Sequence, residues 1–154
     1  MKLCSDTQFL PFKYSTENRP WGYYGLYSDN ENCTTKILYI NKNESLSMQY
    51  HFCRSQFYLI LDNDFIIDYS SEPVSDSIIN ETDEEKRFQE LEEFLKNNLI
   101  TTTASEMDMF GFRERVVHRA KYIGDRDYGR ILDVAFGNNI ESDIVRIKDS
   151  YGRI

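Results

Sequence analysis

A chain of 154 residues with 40% hydrophobic and 14% aromatic content can bury a sizeable core, which excludes a disordered segment and favours one globular domain. Its formal net charge of -8 argues against nucleic acid and anionic membrane as partners, because phosphate surfaces are held by clustered Lys and Arg; a small anionic ligand needs only a few local cations. Cys4, Cys33 and Cys53 form no CxxC pair, the first residues lack the apolar core of a signal peptide, and no apolar run reaches membrane-span length, so a reducing, cytoplasmic location is expected.

Residues 1–18 are polar and broken by Pro11, and read as an arm laid over a domain that occupies 19–154. An aromatic strand follows from Arg19 through Trp21 to Tyr27, then a turn over 28–32 and a β-branched strand from Thr34 to Ile40. After a turn at 41–44 comes a central stretch, Leu46 to Leu61, with a turn expected at Arg54-Ser55 and a return strand carrying Phe57, Leu59 and Leu61. Asp62-Asn63-Asp64 is a tight turn, Phe65 to Tyr69 a strand, and 70–81 a polar loop containing Pro73. Thr82-Asp83-Glu84-Glu85 has the form of a capping box with Thr82 as N-cap. Phe88, Leu91, Phe94 and Leu95 then recur at helical spacing, which predicts an amphipathic helix around 82–98 that buries Phe88, Leu91 and Leu95. Strands resume near 99–103, at Arg115–Arg119 and at Arg130–Phe136, a loop follows over 137–142, and Asp143–Ile147 carries polar caps around a short apolar core. Short strands separated by frequent turns predict an all-β, antiparallel jelly-roll barrel with one inserted helix.

The central stretch alternates. Met48, Tyr50, Phe52 and Arg54 point one way along an extended strand, and Gln49, His51 and Cys53 the other. The second of the chain's two histidines, His118, lies in another β-type run. A barrel that joins these strands would gather His51, Cys53 and His118, with Gln49 as an oxygen donor. That His2Cys set suits Zn2+, or another divalent metal, with an open position for water. The plainer alternative is a pair of hydrogen-bonded interior histidines with Cys53 packed as a small hydrophobe.

Four motifs in register carry a family resemblance. They are Arg19-Pro20-Trp21-Gly22; Leu46-Ser47-Met48-Gln49-Tyr50-His51 with Arg54-Ser55; Val117-His118-Arg119; and Asp143-Ile144-Val145-Arg146 with Asp149, Tyr151, Gly152 and Arg153. Together they resemble the cupin domain of type II mannose-6-phosphate isomerases, which is often fused behind a mannose-1-phosphate guanylyltransferase. No guanylyltransferase half is present in this sequence, so nucleotide chemistry is not implied. The departures fall on the metal positions. His51 and His118 match, whereas Cys53, Gln56 and Phe57 stand where the family has His, an acid and His.

The resemblance implies metal-dependent interconversion of an aldose and a ketose phosphate through an enediol, which needs a base and an electrophile. Glu114 and Glu44 are candidate bases by residue type, and Lys36, Arg54, Arg119 and Arg146 candidate contacts to phosphate or hydroxyl groups. The implied ligand is a phosphorylated sugar or nucleotide sugar, and a homodimer is a further expectation. The rival expectation is a non-catalytic sugar- or nucleotide-sugar-binding cupin that has lost the full metal site.

Overall fold

A computed structural model describes residues 15–29, 33–137 and 143–153. Eleven strands and two helices follow in the order β1 (Ser15–Arg19), β2 (Gly22–Asp29), β3 (Cys33–Asn41), β4 (Met48–His51), β5 (Arg54–Ile60), β6 (Phe65–Pro73), α1 (Asp76–Ile79), α2 (Glu84–Asn98), β7 (Leu99–Ala104), β8 (Met109–Phe112), β9 (Val116–Tyr122), β10 (Tyr128–Gly137) and β11 (Ile144–Lys148). The strands form two antiparallel sheets, one of six in the order β1-β2-β3-β10-β5-β8 and one of five in the order β11-β4-β9-β6-β7. This is the all-β jelly roll that the strand spacing predicts.

Period-two alternation explains the packing. Leu38 and Ile40 on β3, Tyr58 and Ile60 on β5, Phe65 and Ile67 on β6, Ala120 and Tyr122 on β9 and Ile131 on β10 meet in one cluster between the sheets. The other face of the five-stranded sheet is also apolar. Met48, Tyr50, Val117 and Ile147 pack there with Val74 and with Leu95 of α2. The inserted helix therefore lies on the outside of the barrel wall and seals a second, smaller core.

Four local features differ from expectation. The N-cap of α2 is Asp83, whose carboxylate accepts the Lys86 N–H at 3.1 Å, and not Thr82; the more acidic side chain takes the cap next to the positive end of the helix. Phe88 is 51% exposed, because the buried stripe of α2 runs through Leu91, Phe94 and Leu95 and Phe88 falls beyond the sheet's reach. Residues 70–81 are not one loop: β6 continues to Pro73, and Ser75 caps the single turn of α1. The end of the expected arm is also more ordered than its composition suggests, since Ser15–Arg19 pairs with β2 as an edge strand; residues 1–14 lie outside the described residues.

The difference that matters for the site is a turn. β4 ends at His51 and β5 begins at Arg54, so the chain reverses at Phe52-Cys53, not at Arg54-Ser55. Both N–H groups of this turn donate to Asp143 Oδ1 at 3.0 Å, which pins the reversal in place. The earlier reversal makes Arg54 the first residue of β5 instead of a turn residue. Arg54, Gln56 and Tyr58 enter the barrel, with Ser55, Phe57 and Leu59 on the opposite face.

Candidate functional site

The two histidines converge. Their strands β4 and β9 are neighbours, with Gln49 opposite His118, and the imidazole centroids lie 5.3 Å apart inside the barrel. Each residue is only 2% exposed. His118 Nδ1–H donates to the Val116 carbonyl at 3.0 Å, which leaves Nε2 as a buried lone pair with no partner. Phe112 stacks on the His118 ring at 4.6 Å and Tyr58 meets it edge-on. His51 Nε2 accepts from the Arg54 guanidinium at 3.3 Å, since an arginine can only donate. Burial, then His118 and Arg54, hold the His51 imidazole down at about 2, and burial with Arg54 holds His118 at about 4. Both rings are neutral at pH 7.

Beside them lies an acid. Asp133 points inward from β10, is 6% exposed, and accepts the Gln56 side-chain amide at 3.1 and 3.3 Å. Burial raises its carboxyl to about 6 against the opposing charges of Lys36 and Arg54. The Tyr58 hydroxyl is pushed well above its ordinary range by burial and by Asp133, so it stays protonated. These groups line an inner cavity of about 80 Å³, together with Trp21, Tyr24, Lys36, Gln49 and Arg146. The cavity shares Arg19, Tyr24, Lys36, Arg146 and Arg153 with an outer cleft of about 570 Å³. Arg19 and Lys36 both sit over the Tyr24 ring, at 5.2 and 4.8 Å, and Asp149 holds Arg153 through two hydrogen bonds. In a protein of net charge -8, the barrel mouth is a concentration of fixed cations.

Of the residues expected from sequence, Gln49, Lys36, Arg54 and Arg146 line this pocket, and His51 and His118 are buried in the barrel behind Arg54 and Tyr58, which line it. Four others lie elsewhere. Cys53 is exposed on the β4–β5 turn, because the early reversal turns it away from the interior. Arg119 alternates with the inward His118 and Ala120, and its guanidinium is bound to Asp68 on the outer face. Glu114 is exposed in the turn before β9. Glu44 sits in the turn after β3, where its carboxylate accepts the Tyr151 hydroxyl, and lines neither cavity. Asp133, Gln56, Tyr58 and Arg153 were not singled out as site residues. An acid in the middle of Ile131-Leu132-Asp133-Val134-Ala135, on the same face as Ile131 and Ala135, is the signal that could have marked Asp133.

Solved structures share this architecture. An RmlC-like cupin from Shewanella frigidimarina aligns with a TM-score of 0.55 and 13% identity, covering 84% of this chain and 88% of that one. The fold is the cupin fold. The capsular polysaccharide assembling protein CapF from Staphylococcus aureus aligns with a TM-score of 0.60 and 8% identity over 88% of this chain, which spans only 34% of CapF. Streptomyces PAC13 with uridine gives 0.57 and 11%, covering 88% of this chain and 85% of that one. The family model described as mannose-6-phosphate isomerase C-terminal matches residues 10–81. No curated protein matches the sequence.

Many cupins hold a divalent metal on inward histidines, and this cupin's residues fit such an ion poorly. Among the described residues no group of three or more His, Cys, Asp or Glu side chains is placed to hold one. Cys53 faces away, and Gln49 Oε1 already accepts from Ser47 Oγ at 2.6 Å. The remaining face of His51 is met by a guanidinium. Two unit charges 4 Å apart repel by about 4 kcal/mol at an effective dielectric of about 20, and a dication beside Arg54 roughly doubles that.

Proposed function

We propose that this cupin binds a phosphorylated sugar or nucleotide sugar in its cationic mouth and catalyses an isomerase-type proton transfer at the bottom of the pocket. The observation that carries this reading is the layout of charge. Lys36, Arg146 and Arg153 line the cleft, where they suit a phosphate, while Asp133 lines only the inner cavity, with Arg54, Gln56 and Tyr58. A carboxylate whose pKa sits near neutrality is suited to removing a proton from carbon α to a carbonyl and returning it. Tyr58 lines the inner cavity and its hydroxyl stays protonated, which supplies a donor for a sugar hydroxyl. The family match to the isomerase C-terminal domain and the uridine complex of PAC13, a neighbour described as a nucleoside dehydratase, point to the same ligand class. The cysteine count keeps a cytoplasmic location as part of the reading; no helix among the described residues is long and apolar enough to cross a membrane.

The test uses Trp21, the chain's single tryptophan, which lines the inner cavity. Titration with hexose 6-phosphates and nucleoside diphosphate sugars should change its fluorescence, more strongly at low salt. Lys36→Ala should weaken binding about tenfold or more, the worth of one charge-assisted hydrogen bond. An unchanged affinity in Lys36→Ala, or none in the wild type, refutes the phosphate assignment.

A second reading is a binding cupin without turnover. It is favoured by the lost ligand positions at Cys53 and Phe57, both of which face away from the cavity. Exchange of the C2 proton of an aldose phosphate in deuterated water separates the two: binding without exchange selects the second.

We also propose a homodimer. On the outer face of the six-stranded sheet, Ile37, Leu132, Leu59 and Met109 form a continuous cross-strand row on β3, β10, β5 and β8, with Val134 and Phe57 paired alongside. An apolar sheet face of this width suits a second copy. Sedimentation should give a dimer that Leu132→Glu converts to a monomer; a wild-type monomer at all concentrations contradicts it.

A further inference from the structure

Arg54 is the cation that lines the inner cavity and touches the His51 imidazole. It leaves β5 directly after the Phe52-Cys53 turn, is 5% exposed, and places its guanidinium 3.3 Å from His51 Nε2. Its charge acts on both imidazoles, on the Tyr58 hydroxyl and on Asp133, which sets it among all four groups. Arg54 lines the inner cavity with Asp133 and Tyr58, so its charge reaches the space a ligand would fill. The turn before it is held by Asp143, which fixes where Arg54 enters the barrel.

We infer that Arg54 takes the place of the metal, and that this cupin stabilises an enediolate with a fixed guanidinium instead of a divalent ion. The inference rests on the reading above, that the pocket holds an aldose phosphate. The step balances without an oxidant or a metal. The Asp133 carboxylate removes the C2 proton, the C–H electron pair forms the C1–C2 double bond, and the carbonyl pair moves onto O1. The guanidinium N–H groups hydrogen-bond that oxyanion and give up no proton. The O2 proton passes to O1, and protonated Asp133 returns its proton to C1, which yields the ketose. His51 is a positioning residue here: its Nε2 lone pair anchors one N–H of Arg54 and so aims the others.

The test is C2 deuterium incorporation into a panel of hexose 6-phosphates by protein prepared and assayed in chelator, with parallel samples given zinc or manganese. The expected rate is the same with chelator and with metal. Arg54→Met should lose about 100-fold or more, the effect of removing an oxyanion donor, whereas Arg54→Lys, which keeps the charge, should retain part of the rate. In competition with a chromogenic chelator the wild type should take up no stoichiometric zinc, a readout that needs no turnover and no variant. Exchange that appears only with added metal, or zinc retained through the chelator, overturns the role of Arg54 while leaving the isomerase reading standing. Absence of exchange under every condition, with Trp21 still reporting ligand, overturns both and leaves a binding cupin.

Discussion

Gly22→Ala is expected to destabilise the protein by about 3–5 kcal/mol, the sum of backbone strain and a clash that cannot relax. Gly22 opens β2 immediately after the buried Trp21 and has φ +144°, a conformation that L side chains rarely adopt. A Cβ there would sit 2.0 Å from the Tyr39 carbonyl oxygen and 3.3 Å from the Asn41 backbone nitrogen. Both belong to β3, which is hydrogen-bonded to β2 on one side and β10 on the other, so the obstacle is backbone locked in the middle of a sheet. Gly152 provides the control. It also has positive φ, at +71°, but nothing lies within 4 Å of its missing Cβ. Gly152→Ala should therefore cost only the conformational term, about 1–2 kcal/mol. Urea denaturation of the two variants measures the difference, and equal losses would show that the close approach to Tyr39 is not what demands glycine.

Asp133→Asn is expected to lower the C2 exchange rate at pH 7 by roughly 10²–10⁴, the usual contribution of a general base, with ligand affinity little changed. The groups that face the carboxyl are Lys36 from β3 and Arg54, Gln56 and Tyr58 from β5. Because burial raises its pKa to about 6, the active carboxylate form fills as pH rises through that value, and the wild-type rate should rise with it. Stability runs the opposite way. The folded state holds the Asp133 proton more tightly than the unfolded chain, so this group's contribution falls as pH climbs from its ordinary value of 3.8 to about 6 and stays low above that. Asp133→Asn should consequently be less active without being less stable at pH 7, and its stability relative to wild type should decline on acidification through that window. A variant that keeps full exchange activity, or a rate flat across pH 5–7 in the wild type, removes Asp133 from the chemistry.

The strands were legible because alternation of apolar and polar residues is a local signal, and Thr34–Ile40, Phe65–Tyr69 and Arg130–Phe136 each carry it. The helix was legible for the same reason, with its limits set by Asp83 and Leu99. Its partner surface was not: whether Phe88 or Phe94 meets the sheet depends on where Met48, Tyr50 and Val117 lie across the barrel wall.

The candidate site divides along the same line. Composition and spacing by themselves determined that the chain folds as one antiparallel barrel and that His51 and His118 stand on β-strands, since both follow from side-chain period and residue type. Which other groups join them was decided only by tertiary structure. The carboxylate of Asp143, ninety-two residues beyond His51 in sequence, binds the N–H groups of Phe52 and Cys53 and sets the reversal two residues early. That placement put Cys53 in the turn and Arg54 at the start of β5, so an expected interior of Cys53 was exchanged for one of Arg54. It replaced a thiolate, which attracts a metal, with a guanidinium, which repels one.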